Sequence, residues 1–201
     1  MDIQLDFINR SNDANNSEVV IFQKNVADGP EDTAIAWMVI QNCGIGDNHP
    51  FAYPHQMQVS CSDPWGNYTP QLDAQAGQRF ALKKTASGND ITLDGSSDNP
   101  KKLHVYNGLS QGAMSANIFR SGKLLAQTTS ITPAHKAAFQ FEPTIWIGVA
   151  SQIVEGQLMN SAILSNIDTE LSLLGVASAD IMMTGSSSTG FQFQLQNIVY
   201  V

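Results

Sequence analysis

Along most of this chain apolar and polar residues alternate with a period of two. Phe191, Phe193 and Leu195 are separated by single glutamines, which puts all three on one face of a strand. Ile3, Leu5 and Phe7 alternate the same way with Gln4 and Asp6, and so do Met57, Val59 and Cys61 with Gln58 and Ser60. Two runs, Val19 to Phe22 and Thr144 to Val149, are short and rich in β-branched or aromatic residues, the pattern of strands covered on both faces. Leu103 to Tyr106, Ala116 to Phe119, Lys123 to Ala126 and Ala137 to Phe141 extend the series.

Turn chemistry separates these runs. It is carried by Asp28-Gly29-Pro30, Ser87-Gly88-Asn89-Asp90, Asp94-Gly95, Asn99-Pro100, Asn107-Gly108, Ser121-Gly122 and Thr132-Pro133. Arg120-Ser121-Gly122-Lys123 reads as a tight hairpin, because glycine adopts positive φ at little cost. Many short strands with turns about every 8–12 residues predict an all-β fold, an antiparallel sandwich of Greek-key or jelly-roll-like form. At most one short helix is expected. Between Ser151 and Leu164 the residues Ile153, Val154, Leu158, Met159, Ala162 and Ile163 would share a helix face, with Gly156 weakening it.

The chain also resembles itself. Leu5, Phe7 and Asn9, followed by Ile21 and Phe22, match Leu103, Val105 and Asn107, followed by Ile118 and Phe119, at an offset of 98. Phe51 and Tyr53 leading into Met57 to Ser62 match Phe139 and Phe141 leading into Trp146 to Ser151, at an offset of 88. Collinear order is what an internal duplication produces, with loop deletions accounting for the change in offset. The expected organisation is two related β units, residues 1–97 and 98–201, divided near Ser96 to Lys101 and packed closely or forming one continuous domain.

Composition narrows the function. The 201 residues carry a formal charge of −8 with no basic run, which argues against binding nucleic acid or anionic lipid. No apolar stretch is long enough for a transmembrane helix. Fifteen asparagines and sixteen glutamines outnumber all charged residues together. Side-chain amides both donate and accept hydrogen bonds, which suits neutral polar ligands and wet interfaces. Low charge with abundant Asn and Thr is similar to small all-β lectins and β-sandwich cytolysins, a likeness of composition alone. The start, Met1 to Asp6, has neither a basic nor an apolar signal region, so the chain is expected to be cytoplasmic or exported without a classical signal peptide. Cys43 and Cys61 are too few for a disulfide framework and are expected as reduced thiols, one bridge remaining open in an oxidising compartment.

Two stretches carry candidate chemistry. In Ser62 to Pro70, Trp65 and Tyr68 stand in a turn beside Asp63 and Asn67. An aromatic face packs on the C–H surface of a sugar while carboxylate and amide bind its hydroxyls, so Asp63, Trp65, Asn67 and Tyr68 are the predicted ligand-binding residues. The second stretch holds Asp47, His49 and His55, which are capable of ligating a transition metal such as zinc or iron, although their spacing matches no specific motif. His104 and His135 read as structural. No nucleophile elbow, phosphate loop, dinucleotide fingerprint or metalloprotease helix is present. The leading expectation is a non-catalytic recognition protein for a neutral polar ligand, above all carbohydrate, acting as a homo-oligomer and without a cofactor. The alternatives are a self-assembling or membrane-active, pore-forming-like β protein and a metal-dependent enzyme using the Asp47, His49 and His55 loop.

Overall fold

A computed structural model describes residues 2–27, 33–167 and 169–201. The Asp28-Gly29-Pro30 turn lies outside the described residues. The strands in chain order are β1 (Ile3–Asn9), β2 (Val19–Phe22), β3 (Ala34–Ile35), β4 (Met38–Ile40), β5 (Asn48–Tyr53), β6 (Met57–Ser62), β7 (Leu72–Ala74), β8 (Gln78–Thr85) and β9 (Gly88–Ser96). They continue with β10 (Leu103–Asn107), β11 (Met114–Arg120), β12 (Lys123–Ile131), β13 (Lys136–Phe139), β14 (Thr144–Val149), β15 (Leu158–Met159), β16 (Thr169–Ser172), β17 (Val176–Ser186) and β18 (Gly190–Tyr200). One single-turn helix, α1 (Ser161–Leu164), interrupts them. The protein is therefore all-β with one short helix. The Ser151 to Leu164 stretch does not form one helix: Gly156 turns the chain at φ +83°, β15 follows, and α1 starts only after the Asn160 cap.

Two compact units result. Unit 1 gathers Met1–Lys24, Asp32–His55 and Pro143–Val201, and unit 2 gathers Asn25–Glu31 and Gln56–Glu142. Unit 1 contains the sheets β18-β17-β1-β5 and β16-β14-β2-β4, plus the small pair β15-β3. Unit 2 contains β9-β8-β10-β13 and β7-β6-β11-β12. Pairing is antiparallel except for one parallel pair in each unit, β1 with β17 and β10 with β8. In unit 1 the alternating residues Ile3, Leu5, Phe7, Ile181 and Met183 are buried, with Ile21, Ile145 and Ile147 from the second sheet. In unit 2 Phe80, Leu82, Leu103 and Val105 are buried, with Val59, Cys61, Ala116 and Ile118. Each large side chain so removed from water stabilises its unit by about 1.5–3 kcal/mol.

The two units share one strand plan. β1, β2, β4 and β5 occupy in unit 1 the places that β10, β11, β12 and β13 occupy in unit 2, and β14, β16, β17 and β18 correspond to β6, β7, β8 and β9. Registers agree in detail. Leu5 faces Phe51 as Leu103 faces Phe139, and Ile21 faces Ile147 as Ile118 faces Val59. Asn9 and Asn107 end equivalent strands and do the same work. Asn9 Nδ2 donates to the Cys43 carbonyl at 2.8 Å and its Oδ1 accepts from Ser11 N at 3.0 Å. Asn107 Nδ2 donates to the Ile131 carbonyl at 2.8 Å and its Oδ1 accepts from Leu109 N at 3.0 Å. The side chain thus satisfies buried backbone groups where the strand stops, groups that would otherwise cost about 1–3 kcal/mol each.

The units nevertheless divide the chain differently from the sequence halves 1–97 and 98–201. Each unit takes four main strands from the N-terminal half and four from the C-terminal half. The segment near Ser96 to Lys101 lies inside unit 2, joining β9 to β10. Similarity along the chain records which strands are alike, whereas hydrogen-bond pairing decides which strands share a core.

The units differ in one connection. In unit 1 the connection from β14 to β16 spans residues 150–168 and carries β15 and α1. Ile153, Met159 and Ile167 from it pack with Val20, Phe22, Ala34 and Ala36 in a buried apolar cluster. Ile167 lies directly on Gly148, where an added Cβ would meet Ile167 Cγ2 at 2.7 Å. In unit 2 the corresponding connection, β6 to β7, is only residues 63–71 and carries no such apolar insertion.

Candidate functional site

The short β6–β7 connection is the predicted aromatic loop, and local hydrogen bonds hold its shape. Ser62 and Tyr68 form an antiparallel bridge, and Asp63 N donates to Asn67 O at 3.0 Å. Asp63 Oδ1 accepts from Trp65 N at 3.0 Å and from Asn67 N at 2.9 Å, while Oδ2 accepts from Asn67 Nδ2 at 2.9 Å. Thr69 closes the base, its N–H donating to the Cys61 carbonyl at 2.9 Å and its Oγ1 accepting from Cys61 N at 3.0 Å. The Asn67 side-chain amide, helped by the backbone N–H groups of Asn67, Trp65 and Gly66, holds the Asp63 carboxyl below the usual aspartate range.

At the tip, Trp65 is 83% exposed, and Tyr68 is 63% exposed. The Trp65 ring is therefore held in water by an ordered loop and contributes nothing to the core. Beside it a cleft of about 400 Å³ is lined by Asp63, Asn67 and Tyr68 together with Ser87 of the β8–β9 turn and Gly88 and Asn89 at the start of β9. Three of the four predicted residues therefore line one cleft, and Trp65 stands beyond its lining at the loop tip. Asp63 is occupied within the loop: it positions Trp65 and Asn67. The β8–β9 turn was legible only as Ser87-Gly88-Asn89-Asp90 turn chemistry, because sequence spacing does not reveal which turn lies beside which.

The other candidates take structural places. Asp47 Oδ2 accepts from Gly44 N at 3.1 Å, closing a turn. His49 sits in β5 opposite Phe7, and exposed His55 follows the end of that strand. The structure does not gather Asp47, His49 and His55 into a ligand set, and no group of three or more His, Cys, Asp or Glu suited to a metal ion occurs among the described residues. β5 runs between Asp47 and His55, and its rise of about 3.3 Å per residue holds those two too far apart for the three donors to converge. His104 is buried, with Nδ1 3.1 Å from Ser97 Oγ and 3.2 Å from Lys136 Nζ, and His135 Nδ1 lies 2.9 Å from Thr132 Oγ1. Cys43 and Cys61 are both buried free thiols, and burial pushes the Cys61 thiol up to about 12. No helix among the described residues is long and apolar enough to cross a membrane.

Set against known protein families, curated proteins and solved structures, the chain has no match.

Proposed function

We propose that the protein is a non-catalytic recognition protein whose β6–β7 loop and adjoining cleft bind a neutral polar ligand, a carbohydrate. The observation that carries this reading is Trp65, 83% exposed on a loop fixed by the Asp63 and Asn67 hydrogen bonds. The indole supplies a flat surface for the C–H face of a pyranose. Tyr68, Asn67, Ser87 and Asn89 supply uncharged donors and acceptors for its hydroxyls. A preformed loop lowers the ordering cost of binding, and the one carboxylate of the lining, Asp63, is engaged by the loop's own N–H groups, which leaves uncharged groups to meet hydroxyls.

The test is a glycan array read with the wild-type protein and a Trp65→Ala variant. Binding by the wild type, lost in the variant at an unchanged melting temperature, is expected, because exposed substitutions away from structural features change stability by about 0.5 kcal/mol or less. No binding by the wild type, or equal binding by the variant, would refute the reading.

A second reading, self-assembly, rests on a different surface. β18 is an outer strand of its sheet, and Tyr200 (65% exposed) and Val201 (87%) end it beside exposed Leu174. An edge strand with apolar flanks is a template for pairing with another chain. Native mass spectrometry of the wild type and a Tyr200→Lys variant tests it: the variant shifts towards monomer if this edge pairs, and a wild-type monomer at high concentration excludes it.

A further inference from the structure

A second cleft, of about 310 Å³, lies elsewhere in unit 2 and shares only Tyr68 and Thr69 with the first. Ser60 of β6, Asn117 and Phe119 of β11, and Leu124 of β12 line it with Tyr68, Thr69 and Gln71. Its volume is at the lower end of small-molecule sites, about 300–1,000 Å³. Phe119, Leu124 and the Tyr68 ring make it largely apolar. Ser60 is only 1% exposed, and its Oγ is buried without a hydrogen-bond partner. Asn117, fully buried, is by contrast satisfied: Nδ2 donates to Ser62 Oγ at 3.2 Å and Oδ1 accepts from Gln127 Nε2 at 2.7 Å. A buried hydroxyl left unpaired costs stability, and such exceptions are few in native proteins, so Ser60 Oγ is a group in want of a partner.

Unit 1 indicates what belongs there. Ser60 faces Asn117 across β6 and β11, at the place where Gly148 faces Val20 across β14 and β2. In unit 1 that place is filled from within the chain, by Ile167 seated on Gly148 against Val20 and Phe22. In unit 2 Phe119 stands where Phe22 stands, so the aromatic wall is kept. Where unit 1 has Gly148 and Val20, unit 2 has Ser60 and Asn117, and its β6–β7 connection carries no equivalent of the plug. The same strand plan thus has an apolar branched side chain seated in one unit and a hydroxyl-bearing cleft in the other.

We propose that this cleft binds a small branched or cyclic apolar group carrying one hydrogen-bonding atom, as at the end of a short branched alcohol or amide. The apolar body takes the place of the Ile167 side chain, and the polar atom pairs with Ser60 Oγ. The inference does not rest on the carbohydrate reading: the two clefts share Tyr68 and Thr69, but this one uses neither Trp65 nor the Asp63 to Asn67 loop.

The experiment is titration of the 201-residue chain with 2-methylpropanamide, followed through backbone amide resonances. Shifts should concentrate at Ser60, Asn117, Phe119 and Leu124 and saturate with a Kd of about 1 mM, in keeping with so small a ligand. Ser60→Ala should weaken binding about tenfold through loss of one hydrogen bond. Ser60→Leu should abolish it by filling the cleft, and Trp65→Ala should leave it unchanged. Resonance dispersion reports folding of every variant, and Ser60→Ala decides the question should Ser60→Leu not fold. Absence of saturable shifts at these residues, or equal affinity in wild type and Ser60→Ala, would overturn the proposal.

Discussion

If Ile167 plugs unit 1, a side chain at Gly148 and the plug compete for the same space. Gly148→Ala places a Cβ 2.7 Å from Ile167 Cγ2 and 3.2 Å from Ile167 Cα and Cβ. Ordinary contact needs about 3.5–4.0 Å, so Ile167 and its backbone must retreat. Overpacking of this kind costs about 1–3 kcal/mol. Ile167 is 2% exposed, so Ile167→Ala deletes a buried branched side chain and costs about 2–5 kcal/mol. The two losses should not add. Without Cγ2 the worst clash disappears, and the new Cβ fills part of the vacated volume. The double variant should therefore be more stable than the sum predicts by about 1 kcal/mol, within the range of contacting pairs. The assay is urea denaturation followed by tryptophan fluorescence. Trp37, fully buried in unit 1, dominates the change on unfolding, while exposed Trp65 contributes little. Midpoints should move with the slopes unchanged. Additivity within about 0.3 kcal/mol, or a Gly148→Ala variant as stable as wild type, would refute the plug and with it the comparison between the two units.

Three further outcomes follow from the same structure. The lowered Asp63 ionisation means that its ordering of the loop is present above the ordinary aspartate value and is lost as pH falls through the lowered one. Amide relaxation at Trp65 and Asn67 should show loosening only in acid, and a loop equally ordered once Asp63 is protonated would contradict this. A fragment of residues 56–142 contains every strand of unit 2, β6 to β13, and should unfold cooperatively, whereas residues 98–201 hold only half the main strands of each unit and should not. A cooperative 98–201 fragment would count against the exchange of half-repeats. In native protein a thiol reagent at neutral pH should spare Cys61, fully buried and pushed up to about 12, until the protein is denatured. Rapid labelling of Cys61 in the folded state would contradict its burial.

The pattern along the chain was sufficient to specify strands and turns. Ile3, Leu5 and Phe7 are buried as their period of two requires, and Ser121 and Gly122 make the β11–β12 turn with positive φ, at 53° and 71°. These features depend on local sterics and on which face meets water, and both are written in neighbouring residues. The likeness of Leu5 to Asn9 with Leu103 to Asn107 was legible for the same reason, since strands with equal environments carry equal patterns. The turn that carries Trp65 was also within reach, because proline fixes its own φ, glycine supplies positive φ and aspartate bonds the backbone two residues on, although its exposure was not.

Only the tertiary structure decided the pairing. β1 lies beside β17 and β10 beside β8, so the halves of the two repeats exchange partners, and the sequence break falls inside a compact unit. It likewise brought Asn89 beside Tyr68, and it enclosed Ser60, which alternation alone would have left facing water. Asp47, His49 and His55 were held apart. Burial and contact arise from segments far apart in the chain, and a strand's own residues carry its face and its period but not the identity of its neighbour.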